Sequence, residues 1–559
     1  MKVSVRFTLG MFSAYLLFTG CSKKQDPVPV QPEPAPVPLS VISTTLNGTG
    51  VSGNANYNYP VNLVAKIRLN NAVDRSTVAG AVSISSNGTV VPVNFGYENG
   101  DSTIVLTPVA PLNYLSRFTL YADNALKSVK KGALTDALNV GFATALDPAD
   151  KFPQISDDTL LDSVQKRTFR YFWDFAHPVS GLARERNTSG EVVTTGGSGF
   201  GIMAIPVAIS RNFITRAQGL ERMQTIVGFL KNTADKYHGV FPHWLNGATG
   251  KTVAFSTKDN GADLVETSLL VAGLLTARQY FDGTGSAETN LRADINAIWN
   301  AVEWNWFRNG NQQVLYWHWS PNYNWDMNLK IQGWNECLIT YLLAASSNTD
   351  SIPSTVYHNG FAKSGAIVTG NTYYNLNVPL GNPMGNPLFF SHYSFLGVDP
   401  NGLKDRYADY QQQVVNHSRI HYEYCKQNPK GYMGYGANCW GLTASDIPNG
   451  YAANHPNNDI GVISPTAALS SFPYTPTESM AALKFFYYKL GDKIWGTYGF
   501  ADAFKLQDQW FASSTLAIDQ GPIIVMIENH RTKLVWNLLG SCPELKRGMR
   551  NLGFTAPYL

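Results

Sequence analysis

Apolar and polar residues alternate strictly in short stretches over the first quarter of the chain and then change period. VNLVAKIRL (61–69), VSISS (82–86), TVVPVNFGY (89–97), STIVLTPV (102–109) and RFTLYA (117–122) repeat every second residue and are separated by Asn, Gly, Ser and Asp clusters. That is the signature of half-buried strands joined by turns, and it predicts an all-β sandwich over residues 40–147. After Pro153 the period becomes helical, with amphipathic or apolar segments at 160–176, 200–211, 222–237, 262–281, 291–304, 335–346, 406–425, 477–490 and 521–539. Leu264–Ala277, Cys337–Ser346 and Pro522–Ile527 are apolar on most faces, as helices covered on both sides are. Buried helices alternating with amphipathic ones predict a double ring, an all-α (α/α)6 toroid of about a dozen helices filling residues 150–559. Gly/Asn/Pro-rich loops at Asn371–Pro387 and Asp446–Pro473 are placed to wall a cleft at its mouth.

The N-terminus belongs to neither pattern. Met1–Cys21 carries Lys2 and Arg6, an apolar run Phe7–Phe18 and small residues before a cysteine, the layout of an export signal. Leu17-Phe18-Thr19-Gly20-Cys21 resembles a bacterial lipobox, which implies acylation of Cys21, although Phe18 is bulky for its position. Residues 22–39, including DPVPVQPEPAPVPL, form a proline-rich linker that favours an extended spacer. The expectation is a monomeric lipoprotein of a Gram-negative cell envelope, periplasmic or on the outer-membrane surface, touching the membrane only through its lipid.

Composition narrows the chemistry. The 559 residues include 44% hydrophobic residues and 12% aromatics, but the net charge is only +3 with no basic run, so a nucleic-acid partner is not expected. Apart from Cys21, Cys337, Cys425, Cys439 and Cys542 lack zinc spacing and read as buried thiols, with a Cys425–Cys439 bridge left open. There is no HExxH, facing His pair or GxSxG elbow, so neither a metal nor any other cofactor is expected. GGSGFG (196–201) lacks the preceding strand and following Lys-Ser/Thr of a phosphate loop and reads as a close-packed helix entry.

Carboxylates open several of the apolar helices: Asp263 and Glu266 in GADLVETS, Glu336 in GWNECL, Glu478 in PTESM and Asp519 in DQGPI. Each alone is explained by capping and the helix dipole. Together, at helix starts converging on one mouth, they supply the opposed acids that glycoside hydrolysis requires. Asp263 and Glu266 share a helix face, with Asp259 one turn earlier. Trp317, Trp319, Trp325 and Trp334 precede Glu336, FFSHYSFLG (389–397) follows it, and Trp440 lies in CWGLTASD. Such aromatics suit a carbohydrate cleft.

On TGGSGFGIMAIPVAISR, DNGADLVETSLLVAGLLTARQYF, GWNECLITYLL, FFSHYSFLGVDP, WGLTASD, TPTESMAALK and DQGPIIVMIEN, residues from about 155 to 559 resemble the bacterial glycoamylase-like domain, a glycoside hydrolase family whose characterised activity is endo-β-1,2-glucanase. The region carrying LNNAVDRSTV and GALTDALNVGFAT resembles bacterial Ig-like modules. The first resemblance implies an (α/α)6 barrel that inverts anomeric configuration and draws attention to Asp259, Asp263, Glu266 and Glu336. Glu336 is then assigned as general acid and Asp519 as base, with Asp263 and Glu266 orienting sugar hydroxyls or sharing in catalysis. Asp259, Trp334, His392, Tyr393, Trp440 and Glu478 are assigned to an oligo- or polysaccharide substrate, best matched by β-1,2-glucan. An exo-acting enzyme on another glucan and a non-catalytic glycan-binding lipoprotein are the alternatives.

Overall fold

A computed structural model describes residues 33–559. Cys21, the export signal and most of the proline-rich linker lie outside the described residues. The chain divides into two compact units, a smaller one built from the β-rich region and a larger one running from Gly141 to Leu559 that also takes in residues 52–63 and 110–118.

The β-rich region holds two five-stranded sheets. One orders Thr49–Gly50, Val41–Leu46, Ala65–Leu69, Thr103–Pro108 and Val93–Glu98, and the other Asn56–Tyr59, Leu138–Thr144, Arg117–Ala122, Val82–Ser86 and Thr89–Val91. The alternation read in the sequence is the burial pattern: Ile67, Leu69, Ile104 and Leu106 on one sheet and Ile84, Leu120, Val140 and Phe142 on the other are buried. The first strand, Val37–Leu39, pairs with Lys131–Leu134, so regular structure begins inside the segment read as linker. A short helix, Arg75–Ala81, capped by Asp74, interrupts the strands and was not expected.

The larger unit is helical. Thr195–Ser210, Leu264–Tyr280 and Leu338–Ser346 are buried along nearly their whole length because their residues are apolar or small on most faces, and Ala517–Thr532 is buried as far as Asn529 with its polar residues Gln520, Glu528 and Asn529 hydrogen-bonded inside. Asp157–Trp173 and Ser286–Asn300 bury one stripe only. Two long segments are broken: 477–490 ends as an α-helix at Lys484 and continues as a π-turn, and 521–539 breaks where Lys533 adopts φ +60°. All four described cysteines are free, buried thiols.

The centre of this unit is a glycine seam. A Cβ on Gly199 would lie 2.3 Å from Leu269 O, and one on Gly273 2.2 Å from Gly199 O, so Thr195–Ser210 and Leu264–Tyr280 touch backbone to backbone. GGSGFG is therefore the close-packed helix entry that the sequence indicated, although a short strand not expected from the sequence, Val192–Thr194, does lead into it. Glycines inside a helix cost about 1 kcal/mol each, a cost offset by the contact they permit. Gly199→Ala is expected to lower stability by about 3 kcal/mol or more, read as a fall in the urea midpoint; an unchanged midpoint would show that the helices can separate.

Candidate active site

Asp263 ends the short strand Ala262–Asp263 and caps the helix that follows, its Oδ1 accepting from the N–H groups of Val265 and Glu266. Glu266, one turn on, accepts from Gly196 N–H at 2.7 Å; a Cβ at Gly196 would sit 2.6 Å from that same carboxylate oxygen, so a side chain there would displace the carboxylate. The carboxylate thus bridges the first turns of two buried helices.

Around Asp263 lies a quartet of acids and imidazoles. His243 Nδ1 is 3.0 Å from Asp263 Oδ2 and 3.6 Å from Asp259 Oδ2, and His318 Nε2 is 3.4 Å and 3.2 Å from the same two atoms. Strand pairing sets this up, with His318 directly opposite Asp263. Burial alone would push both imidazoles down, but the facing carboxylates outweigh it and hold His318 at about 9 and His243 well above its ordinary range. Burial would likewise raise Asp263, yet the two imidazoles hold it below the usual carboxylate range. His243, Asp259 and Asp263 offer donor atoms within 4.8 Å of one another, a set that suits a divalent cation. His318 contributes a second imidazole to the same oxygens, and the two imidazolium–carboxylate pairs balance without an added charge.

Glu336 lies two residues before the helix Leu338–Ser346, its backbone carbonyl held by Ser394 Oγ. Burial, with Glu266 and Asp263 as like-charged neighbours, pushes its carboxyl up to about 7. Glu266 is also raised by burial. Tyr393 stands among Glu336, Glu266 and Asp519, whose charges add to burial in raising its phenol.

Beside these groups runs a cleft of about 440 Å³, lined by Glu185, Arg186, His243, Trp244, Phe255, Glu266, Phe389, Tyr393 and Tyr451 among others. A second hollow of about 530 Å³ shares Arg186 and Tyr451 with it and adds Asp446 and Trp510. Arg186 Nη1 donates to both Asp446 oxygens at 3.2 Å, while its Nε reaches Glu185 at 2.9 Å. Ser514 Oγ donates to Asp446 as well. Behind this pair sit Asp502 and Asp519. Asp502 Oδ2 accepts from Asp446 N–H at 2.7 Å, whereas Asp502 Oδ1 and Asp519 Oδ2 are each shut off from solvent without a partner, and the two side chains neighbour one another. A proton held between the two carboxyls would satisfy both. Burial and the neighbouring charge raise both carboxyls, Asp502 to about 7 and Asp519 well above its usual range.

A family model described as "Putative glucoamylase" matches residues 328–543, and a "Bacterial Ig-like domain" model matches 38–144. An endo-β-1,2-glucanase structure from Chitinophaga pinensis, in complex with sophorotriose and glucose, is 54% identical with a TM-score of 0.71, over 73% of this chain and 100% of that one. The chain belongs to this glycoamylase-like family. A β-1,2-glucanase structure from Parabacteroides distasonis is 38% identical with a TM-score of 0.70, over 93% of this chain and 74% of that one. An exo β-1,2-glucooligosaccharide sophorohydrolase (non-reducing end) from P. distasonis is 44% identical over 475 residues, 80% of this chain; the chain spans 66% of that protein's length.

In this glycoamylase-like protein Glu266 and Tyr393 line the cleft, with Asp259 and Asp263 behind its His243 and Glu336 a near neighbour of Glu266, but four other residues assigned to substrate neither line it nor join that cluster. Trp440 is fully buried in a separate apolar cluster and donates to Glu478 O, so it builds core rather than binding sugar. Glu478 sits in the first turn of Pro476–Lys484, beside Trp440, at a helix start that does not open on the cleft. His392 is buried against Ser471 Oγ and pushed down to about 3, neutral and structural. Trp334 packs on Phe395 and Tyr410. Asp519 lies behind the cleft wall, to which its neighbour Ile518 contributes. The loop at 371–387 is mostly a hairpin packed on Tyr410–Gln427 and does not line the cleft, whereas the hairpin Ala444–Ile447/Gly450–Ala453 does. Glu185, Arg186, His318, Asp446 and Asp502 carried no assignment from sequence. WHW (317–319) and WGLTASD held the only local hints.

Proposed function

We propose that this protein is an inverting glycoside hydrolase that cleaves β-1,2-glucan. The observation that carries the reading is a pair of unlike acids adjoining different lining residues of the cleft: Glu336, near Glu266, whose carboxyl keeps its proton near neutral pH, and Asp446, ion-paired with Arg186 on the side where Asp502 and Asp519 retain a proton. Glu336 protonates the glycosidic oxygen as the bond to the anomeric carbon breaks. Asp446 takes the proton of the attacking water, directly or through a sugar hydroxyl, and inversion follows from attack on the opposite face. Asp446 suits the base better than Asp519, whose carboxyl is already engaged in the shared proton. Glu266, fixed by Gly196 N–H, and Asp263, fixed by two imidazoles, orient sugar hydroxyls, while Tyr393, Trp244 and Phe255 supply the apolar faces on which pyranose rings pack. The names of the relatives supply the linkage.

The helical unit carrying this site is read as an (α/α)6 toroid. Six buried elements, Thr195–Ser210, Leu264–Tyr280, Leu338–Ser346, the turns at 388–396, Pro465–Leu469 and Ala517–Thr532, alternate in sequence with six outer ones. Successive buried elements pack on one another, and Ala517–Thr532 returns to Thr195–Ser210. His392–Ser471 and Tyr474–Ser391 bonds link 388–396 to the Pro465–Leu469 segment and support closure.

Incubation with linear β-1,2-glucan, with β-1,3-glucan and starch in parallel, tests the function by chromatography and mass spectrometry of products. A ladder of β-1,2 oligosaccharides of inverted anomer is expected; release of disaccharide alone marks exo action, and an uncut polymer or a retained anomer overturns the reading. Envelope anchoring of a monomer through Cys21 belongs to the same proposal: Cys21→Ser should move the protein from the membrane to the soluble fraction, and an unchanged membrane fraction would refute lipidation.

A further inference from the structure

A hollow larger than the cleft lies elsewhere in the helical unit, where the helix Ser286–Asn300 ends. It encloses about 700 Å³ and shares no lining residue with the cleft. Trp306 and Trp325 line it, with side chains of Asn300, Glu303, Asn309 and Asn311. Strand geometry explains its position. His318 and Trp319 are successive residues of a strand paired with Ala262–Asp263, so their side chains leave opposite faces. His318 turns to Asp259 and Asp263; Trp319 turns away, where its ring meets Trp306 edge-on at 5.5 Å, and Trp306 in turn meets Trp325 at 4.7 Å.

The chemistry of the wall is that of sugar recognition. Among the described residues, the side-chain amide N–H groups of Asn300, Asn309 and Asn311 and the indole N–H groups of Trp306 and Trp325 have no acceptor in the protein, and Asn300 Oδ1 is cut off from solvent without a donor. Asn309, Gly310 and Asn311 all hold positive φ, 45°, 77° and 65°, which sets the two amides on one tight bend. Glu303, held by His238 Nδ1 at 2.9 Å, supplies a fixed acceptor. Amides serve vicinal hydroxyls as donor and acceptor together, and sugar C–H groups pack on indole faces; one face of Trp306 is taken by the His238 ring stacked at 3.6 Å, which holds the indole in place.

We propose that this cavity is a second saccharide-binding site, one that grips a stretch of glucan away from the cleft carboxylates. That the sugar is β-1,2-linked rests on the function proposed above. A polymer held at both places is delivered to the cleft at high effective concentration, whereas an oligosaccharide too short to span them gains nothing.

The test uses Asn309→Gly/Asn311→Gly, because glycine accepts the left-handed backbone that both positions require, with Trp325→Phe as an independent variant. In Glu336→Gln protein, which leaves sugar uncut, calorimetric titration with short β-1,2-glucooligosaccharides should count two sites per chain, and one after the double glycine substitution. With Glu336 restored, the double variant should show a KM for polymer raised about tenfold, with kcat and the kinetics on short oligosaccharides unchanged. A single site in the Glu336→Gln protein, or two sites surviving the substitutions, would overturn the proposal. The titration is repeated with β-1,3- and α-1,4-linked oligosaccharides, so that the site count judges the cavity even if β-1,2-glucan is never cut. Cleavage by the unsubstituted protein judges the function separately.

Discussion

Glu336→Gln reduces the release of new reducing ends from β-1,2-glucan by about a hundred- to ten-thousand-fold, the usual worth of a positioned proton donor. The amide keeps the shape and burial of the acid and its place beside Glu266, so the protein folds and still binds substrate. The pH dependence provides the sharper evidence. Glu336 holds its proton up to about 7 because burial and its acidic neighbours disfavour the charge, so activity should fall as pH rises through that value, and the limb should vanish from the residual activity of the variant. Stability carries the same sign. A carboxyl whose folded value lies above its unfolded one contributes stability that is complete below about 4.5 and is lost as pH rises through about 7, on the order of 3 kcal/mol. Urea midpoints measured across that window should decline with pH in the native protein and decline less in Glu336→Gln. A variant with native turnover, or with an unaltered alkaline limb, would remove Glu336 from the acid's role.

Asp446→Asn is the second large effect. Losing the carboxylate removes both the acceptor for the water's proton and the counter-charge of Arg186, which then has only Glu185. A fall in kcat of about a hundredfold or more is expected with little change in KM. Asp519→Asn should behave differently: the shared proton with Asp502 is replaced by an amide donor, which serves the same oxygen, so turnover should drop far less. Steady-state kinetics of the two variants side by side decide between the carboxylates. Near-native turnover in Asp446→Asn together with a collapse in Asp519→Asn would return the base to Asp519.

How much of this was legible in the sequence follows from the range of the interactions involved. The strands are legible because period-two alternation is local, and the covered helices because apolar residues occupy all their faces. Asp263 and Glu266 are legible because they share one helix turn. Glu478 is deceptive for the same reason: it sits in a first turn as Glu266 does, and what separates them is which way the helix start faces, a matter of tertiary placement. Trp440 reads as a sugar platform beside an acid, yet its indole meets a carbonyl 38 residues on and never reaches the cleft. Asp446 escapes notice because its meaning depends on Arg186, 260 residues earlier. His318 lies in an aromatic triplet that looks like packing until the strand pairing with Asp263 is known. Helix ends were blurred where Pro, a π-turn or a left-handed Lys533 overrode periodicity.

The glycine seam beneath the cleft sets how this catalyst tolerates change. Glu266 hangs from Gly196 N–H, and one turn below, Gly199 and Gly273 press main chain against main chain, so the footing of the acids is set by peptide units that have no rotamers to exchange. Glu336 stands on no such footing: its carboxyl is raised by the side chains that bury it. Variation in this lineage should therefore shift the pH at which the enzyme works, through the packing around Glu336, long before it moves Glu266.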